Sequence, residues 1–140
     1  MDLSALKVTI YQSLIDLTTV DGINASGKDE VYGCIFGRDS FVTILKLLKV
    51  LSNPSNSDDP DFAVFAQISK NALLNLIELQ GRQTNIESGE EPGKFIHEFR
   101  RNKYDHLLAV EKPWYIYDDK TLRNFDSVDS YWLNCSFCIP

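Results

Sequence analysis

The chain has 140 residues, 44% of them hydrophobic, with a formal net charge of −6 and a pI near 4.8. That length fits one small domain or a piece of a larger one, and the acidic balance argues against nucleic acid and anionic membranes, whose phosphates it would repel. No apolar run approaches the roughly 20 residues that span a bilayer, the N-terminus lacks the basic-then-apolar pattern of a secretory signal, and three cysteines cannot all pair within one chain, so a reduced, cytoplasmic setting is expected.

In chain order, Leu6, Ile10, Leu14 and Leu17 recur at helical spacing and predict a helix over residues 3–18, with Ser4 as its cap. Residues 19–38, with Gly22, Gly27, Gly33 and Gly37, read as a loop; its length marks it as functional. Residues 40–51 predict a second helix whose Val42, Ile44, Leu45, Leu47, Leu48 and Leu51 cover most of its circumference, the pattern of a buried helix. A Pro/Ser/Asn linker over 52–60 leads to a third helix that starts after Asp59 or Asp61, buries Phe62, Phe65, Ala66, Ala72, Leu73, Leu76 and Ile77, and ends near Gly81. Residues 82–103 read as a polar loop, 104–110 as a short helix, and 113–120 as a strand or turn carrying aromatics. The expected fold class is therefore all-α, with the second helix calling for further helices around it.

Two segments carry candidate chemistry. Arg38-Asp39 sits where the glycine-rich loop becomes the second helix. A guanidinium donates a fork of hydrogen bonds and a carboxylate accepts them, the combination that neighbouring hydroxyls of a sugar ring require; the plainer alternative is a helix cap with a surface ion pair. The second segment, Glu87 to Arg100, holds Glu90, Glu91, Lys94, His97, Glu98 and Arg100 around a Pro92-Gly93 turn. These groups can converge on one ligand or form a solvated charged loop. Neither His97 nor the Cys135-Ser136-Phe137-Cys138 pair stands at a complete metal-ligand spacing, so neither metal nor cofactor is expected. Trp114, Tyr115, Tyr117 and Trp132 can stack on sugar rings or pack for their apolar area.

Asp16-Leu17, Ile35-Phe36-Gly37-Arg38-Asp39-Ser40, Leu79-Gln80-Gly81, Ser88 to Arg100 and Val128-Asp129-Ser130, taken in register, resemble the start of the catalytic domain of glycogen-debranching, amylo-α-1,6-glucosidase-like glycoside hydrolases, relatives of the glucoamylases. The resemblance covers roughly residues 6–130. It implies an incomplete (α/α)6 toroid over residues 1–130, built from the N-terminal helices only, and inverting hydrolysis of an α-glucosidic bond in an oligosaccharide or α-glucan. Arg38 and Asp39 would hold hydroxyls of the terminal glucosyl unit, Glu91, His97, Glu98 and Arg100 would line the funnel, and Asp129 would face the sugar from the next inner helix.

The chain departs from that pattern twice. Lys28-Asp29-Glu30-Val31-Tyr32 stands where relatives carry a Pro-Trp step, which leaves substrate preference open. After Ser130 the relatives continue with Thr and an apolar helix, whereas this chain has Tyr131 to Pro140. Dropping one base from permissible codons for Tyr131 to Ile139 restores a Thr and an apolar helix, so the tail reads as a frameshift product, natural or introduced in sequencing, with a true short C-terminus as the plainer alternative. The catalytic acid and base, which inverting enzymes hold roughly 6.5–9.5 Å apart, would lie beyond the matched stretch. The catalytic residues are thus unknown, and the chain is expected to bind sugar weakly at most and not to hydrolyse it. The alternatives are a non-catalytic helical module that self-associates or binds a partner through exposed apolar helices, and a relative acting on another α-linked sugar.

Overall fold

Apolar periodicity yields three helices, α1 (Leu3–Leu17), α2 (Gly37–Leu51) and α3 (Phe62–Glu78), close to the expected bounds. The structure, a computed structural model, describes residues 2–54 and 60–127, apart from the side chains of Leu3 and Ser4. The Ser4 cap, the Asp59 helix start, Asp129, Trp132, the cysteine pair Cys135 and Cys138, and the tail 131–140 lie outside the described residues.

The all-α expectation, and with it the incomplete (α/α)6 toroid, is overturned by six short strands in two antiparallel sheets among the described residues. Thr18–Thr19 (β1) and Gly22–Ile23 (β2) form a hairpin directly after α1, with Thr18 opposite Ile23. Ile35–Phe36 (β3), Glu98–Arg100 (β4), Tyr115–Ile116 (β5) and Leu122–Asn124 (β6) form a second sheet in the order β3-β4-β6-β5. Ile35 pairs with Phe99, and Phe99 in turn with Arg123. The predicted loops 19–38 and 82–103 thus contain strands. Charged residues break the apolar alternation at β4, but Glu98 and Arg100 neutralise each other, so all three β4 residues are buried. Opposite charges brought together in this way let a strand that reads as polar cross the middle of a sheet. The expected helix at 104–110 is a single 3-10 turn, Asp105–Leu107.

The core lies between α2, α3 and the second sheet. Phe41 of α2 meets Phe95 edge-on at 4.9 Å, and Ile44, Ile68, Ala72, Leu76, Ile96, Phe99 and Phe125 surround them. Asn75 of α3 donates to the Val20 carbonyl at 2.7 Å and ties the hairpin to the helix. α2 is not buried all round: Gly37, Ser40, Phe41 and Ile44 face the core, while Val42, Leu45 and Leu48 are nearly half exposed. Likewise Leu14 is buried, but Leu6 and Ile10, expected on the same inner stripe of α1, are exposed. In both cases periodicity reports what a helix can bury, whereas α3 and the sheet cover only one side of what is offered. No helix of the described residues is long and apolar enough to cross a membrane.

Candidate functional site

The last residue of β3, Phe36, is also the residue before α2, with extended φ −110° and ψ 124° and no side-chain cap. The strand therefore turns directly into the helix, and Arg38 and Asp39 occupy its first turn. The Gly37 N–H donates to the His97 carbonyl at 3.0 Å, which brings the start of α2 against the residue that leads into β4. Arg38 Nε and Asp39 Oδ1 lie 3.7 Å apart, with both side chains about half exposed. The capping position weighed for Asp39 is taken by Phe36.

Arg38, Asp39 and His97 border one open cleft of about 440 Å³, shared with Ala25, Ser26, Tyr32 and Phe36. The Tyr32 ring meets Phe36 edge-on at 6.1 Å, and Phe36 meets His97 edge-on at 5.6 Å. Three rings in a row thus stand beside a guanidinium and a carboxylate. Apolar ring surface with a few convergent polar groups suits a small ligand that has both C–H faces and hydroxyls. Among the described residues, Asp39 is the one carboxylate that lines this cleft.

The other nominated residues lie elsewhere. Arg100 Nε donates to Glu98 Oε1 at 2.5 Å and its Nη2 to the Val31 carbonyl at 2.7 Å. The pair is buried, and Arg100 borders a separate cavity of about 250 Å³ with Asp21, Lys28, Arg101 and Lys103. Both residues hold the loop that carries Tyr32 against the sheet. Glu91 is exposed, with Oε1 3.9 Å from Lys94 Nζ, beside a third cavity that includes Gly89 and Asp126. The Pro92-Gly93 turn is present, with Gly93 at φ +84°, but it folds its segment back on Gly81, whose carbonyl accepts from the Gly93 N–H at 2.8 Å. Buried Glu90 organises this segment, accepting from the Arg82 N–H at 2.8 Å and from the Tyr117 hydroxyl at 2.6 Å. Tyr117, nominated as a sugar stacker, is thus a structural strut.

The cleft aromatics Tyr32 and Phe36 are given no binding role by the sequence alone. Phe36 follows Ile35 at the end of a strand and stands two residues before Arg38, a spacing that the strand-to-helix turn converts into contact around one cleft. Tyr32 offers no periodic signal. Among the described residues no group of three or more His, Cys, Asp or Glu side chains is placed to hold a metal ion. No known protein family, curated protein or solved structure matches this chain. The functional reading therefore rests on the residues themselves.

Two acids outside the cleft, the buried Cys34 and the half-buried Tyr117, give a pH signature. Burial pushes the Cys34 thiol up to about 12 from its ordinary 9.0, against the opposing pull of Arg100. Burial, together with the bond to the Glu90 carboxylate, pushes Tyr117 from 10.0 to about 12. The folded state keeps both protons at pH values where the unfolded chain has lost them, so stability is intact below the unfolded values and falls as pH rises through the folded ones. Unfolding midpoints in urea are expected to drop between about pH 8 and about pH 10.5. Cys34→Ala should flatten that fall; an unchanged slope would assign it to other groups.

Proposed function

We propose that the chain binds a terminal sugar ring of an α-linked oligosaccharide or α-glucan in the Arg38–Asp39 cleft. In this reading it is the sugar-binding part of an amylo-α-1,6-glucosidase-type glycoside hydrolase, works in a reducing, cytoplasmic setting, and does not hydrolyse the glycosidic bond alone. The observation that carries the reading is the juxtaposition of Arg38, Asp39 and His97 with the Tyr32–Phe36 aromatic row around one cleft. The kinship is argued from the matched residues at 35–40 and 88–100, not from architecture. Arg38 would donate to ring hydroxyls, Asp39 would accept from them, and the rings would cover a C–H face.

Maltotriose is expected to raise the thermal unfolding midpoint of the purified chain, whereas an equimolar non-sugar osmolyte is not. Asp39→Ala should weaken the response by about tenfold, the value of one charged hydrogen bond, with little change in the stability of the free protein, because an exposed ion pair contributes little. A variant that responds like the parent would remove Asp39 from the site. Glucose released from maltooligosaccharide by the purified chain would refute the non-hydrolytic part.

A second reading is favoured by a separate observation. Leu6, Val8 and Ile10 of α1, Val42, Leu45 and Leu48 of α2, and Leu74 and Ile77 of α3 are all exposed. Apolar surface on this scale supports association with another chain or with a second copy.

A further inference from the structure

The exposed faces of the three helices differ in charge. α1 carries Lys7 and Asp16, and α3 carries Lys70 and Glu78, so each balances. α2 carries Arg38, Lys46 and Lys49 against Asp39 alone, in a chain whose net charge is −6. Val42, Leu45 and Leu48 follow one another at a three-residue step and form a single ridge, each 45–49% exposed. Lys46 and Lys49 stand four residues after Val42 and Leu45, in the next row around the helix. The solvent side of the apolar ridge is therefore edged by a row of cations. Two copies of α2 laid together would place these lysines on one another, and neither α1 nor α3 offers a surplus of carboxylates to meet them.

We propose that the α2 ridge docks an amphipathic helix of another protein whose apolar stripe is flanked by glutamate or aspartate. This rests on the second reading above, that the exposed helices are interaction surfaces, and names the partner's chemistry. The partner's apolar side chains would lie across Val42, Leu45 and Leu48, and its carboxylates would reach Lys46 and Lys49. Charge at the edge of such a contact sets the choice of partner more than its total strength.

The test uses the full chain and two synthetic helical peptides with the same leucine stripe, one flanked by glutamate and the other by lysine, read by fluorescence anisotropy. The glutamate peptide is expected to bind at least about tenfold tighter at low salt, and to lose that advantage as salt rises. The double substitution Lys46→Glu with Lys49→Glu, at two exposed positions, should invert the preference. Equal affinity for both peptides overturns the acidic partner and leaves an apolar interaction surface standing. Binding of neither overturns both. Binding to vesicles of phosphatidylcholine and phosphatidylserine in place of the glutamate peptide overturns the proposal in favour of a membrane surface.

Discussion

Replacing Arg100 by alanine is expected to lower the unfolding free energy by about 3–5 kcal/mol, the usual cost of stranding one member of a buried ion pair. Arg100 is 4% and Glu98 9% exposed. Both sit on β4, which has a strand on each side. Without the guanidinium, the Glu98 carboxylate keeps only the distant Cys34 thiol, 3.7 Å from its Oε1, and must stay charged without a counter-ion or take up a proton. The Val31 carbonyl loses its donor as well, so the loop carrying Tyr32 loses one of its ties to the sheet. Small domains hold only about 5–15 kcal/mol in total, so the variant should sit near the edge of folding. Urea denaturation measures this as a lower midpoint at unchanged slope. The paired replacement Arg100→Met with Glu98→Leu should cost far less, because it removes both charges together. A loss below about 1 kcal/mol for Arg100→Ala would mean that water reaches the pair and that it behaves like a surface ion pair.

That prediction turns on residues whose role sequence pattern misassigns. Glu98 and Arg100 look like ligand groups because charge in a loop is usually solvated or functional. Their burial depends on pairing across one strand position and on neighbours at Phe36, Leu122 and Asn124 that are distant in sequence. The helices are legible because each runs for 15 or 17 residues, long enough for a 3.6-residue period to repeat. The strands have two or three residues each, too few for alternation to show, which is why a mixed fold reads as all-α. The candidate site is half legible for the same reason. Arg38 and Asp39 are adjacent and announce themselves, whereas His97 joins them through the β3–β4 pairing, and Tyr32 through a loop tied down by Arg100 and Lys103.

Gly37→Ala is expected to cost about 1–3 kcal/mol or more, the range for forcing extra volume into a packed site, and to abolish the maltotriose response. A Cβ at Gly37 would lie inside contact distance of the Ile96 carbonyl oxygen, a backbone atom of a buried residue that cannot swing aside as a side chain can. The start of α2 would have to move away from Ile96 and His97, stretching the Gly37–His97 bond. That displacement separates Arg38 and Asp39 from His97 and from the aromatic row. Gly93→Ala is the control: its φ of +84° strains an alanine, but the added methyl meets open space. It should cost about 1–2 kcal/mol, the ordinary penalty of a left-handed residue, and leave the sugar response intact. Thermal unfolding with and without maltotriose separates the two. If Gly37→Ala folds with a parent-like response, the strand-to-helix junction does not set the geometry of the cleft. If both variants lose the response in proportion to their lost stability, sugar binding depends on global folding and not on the spacing of Arg38, Asp39 and His97.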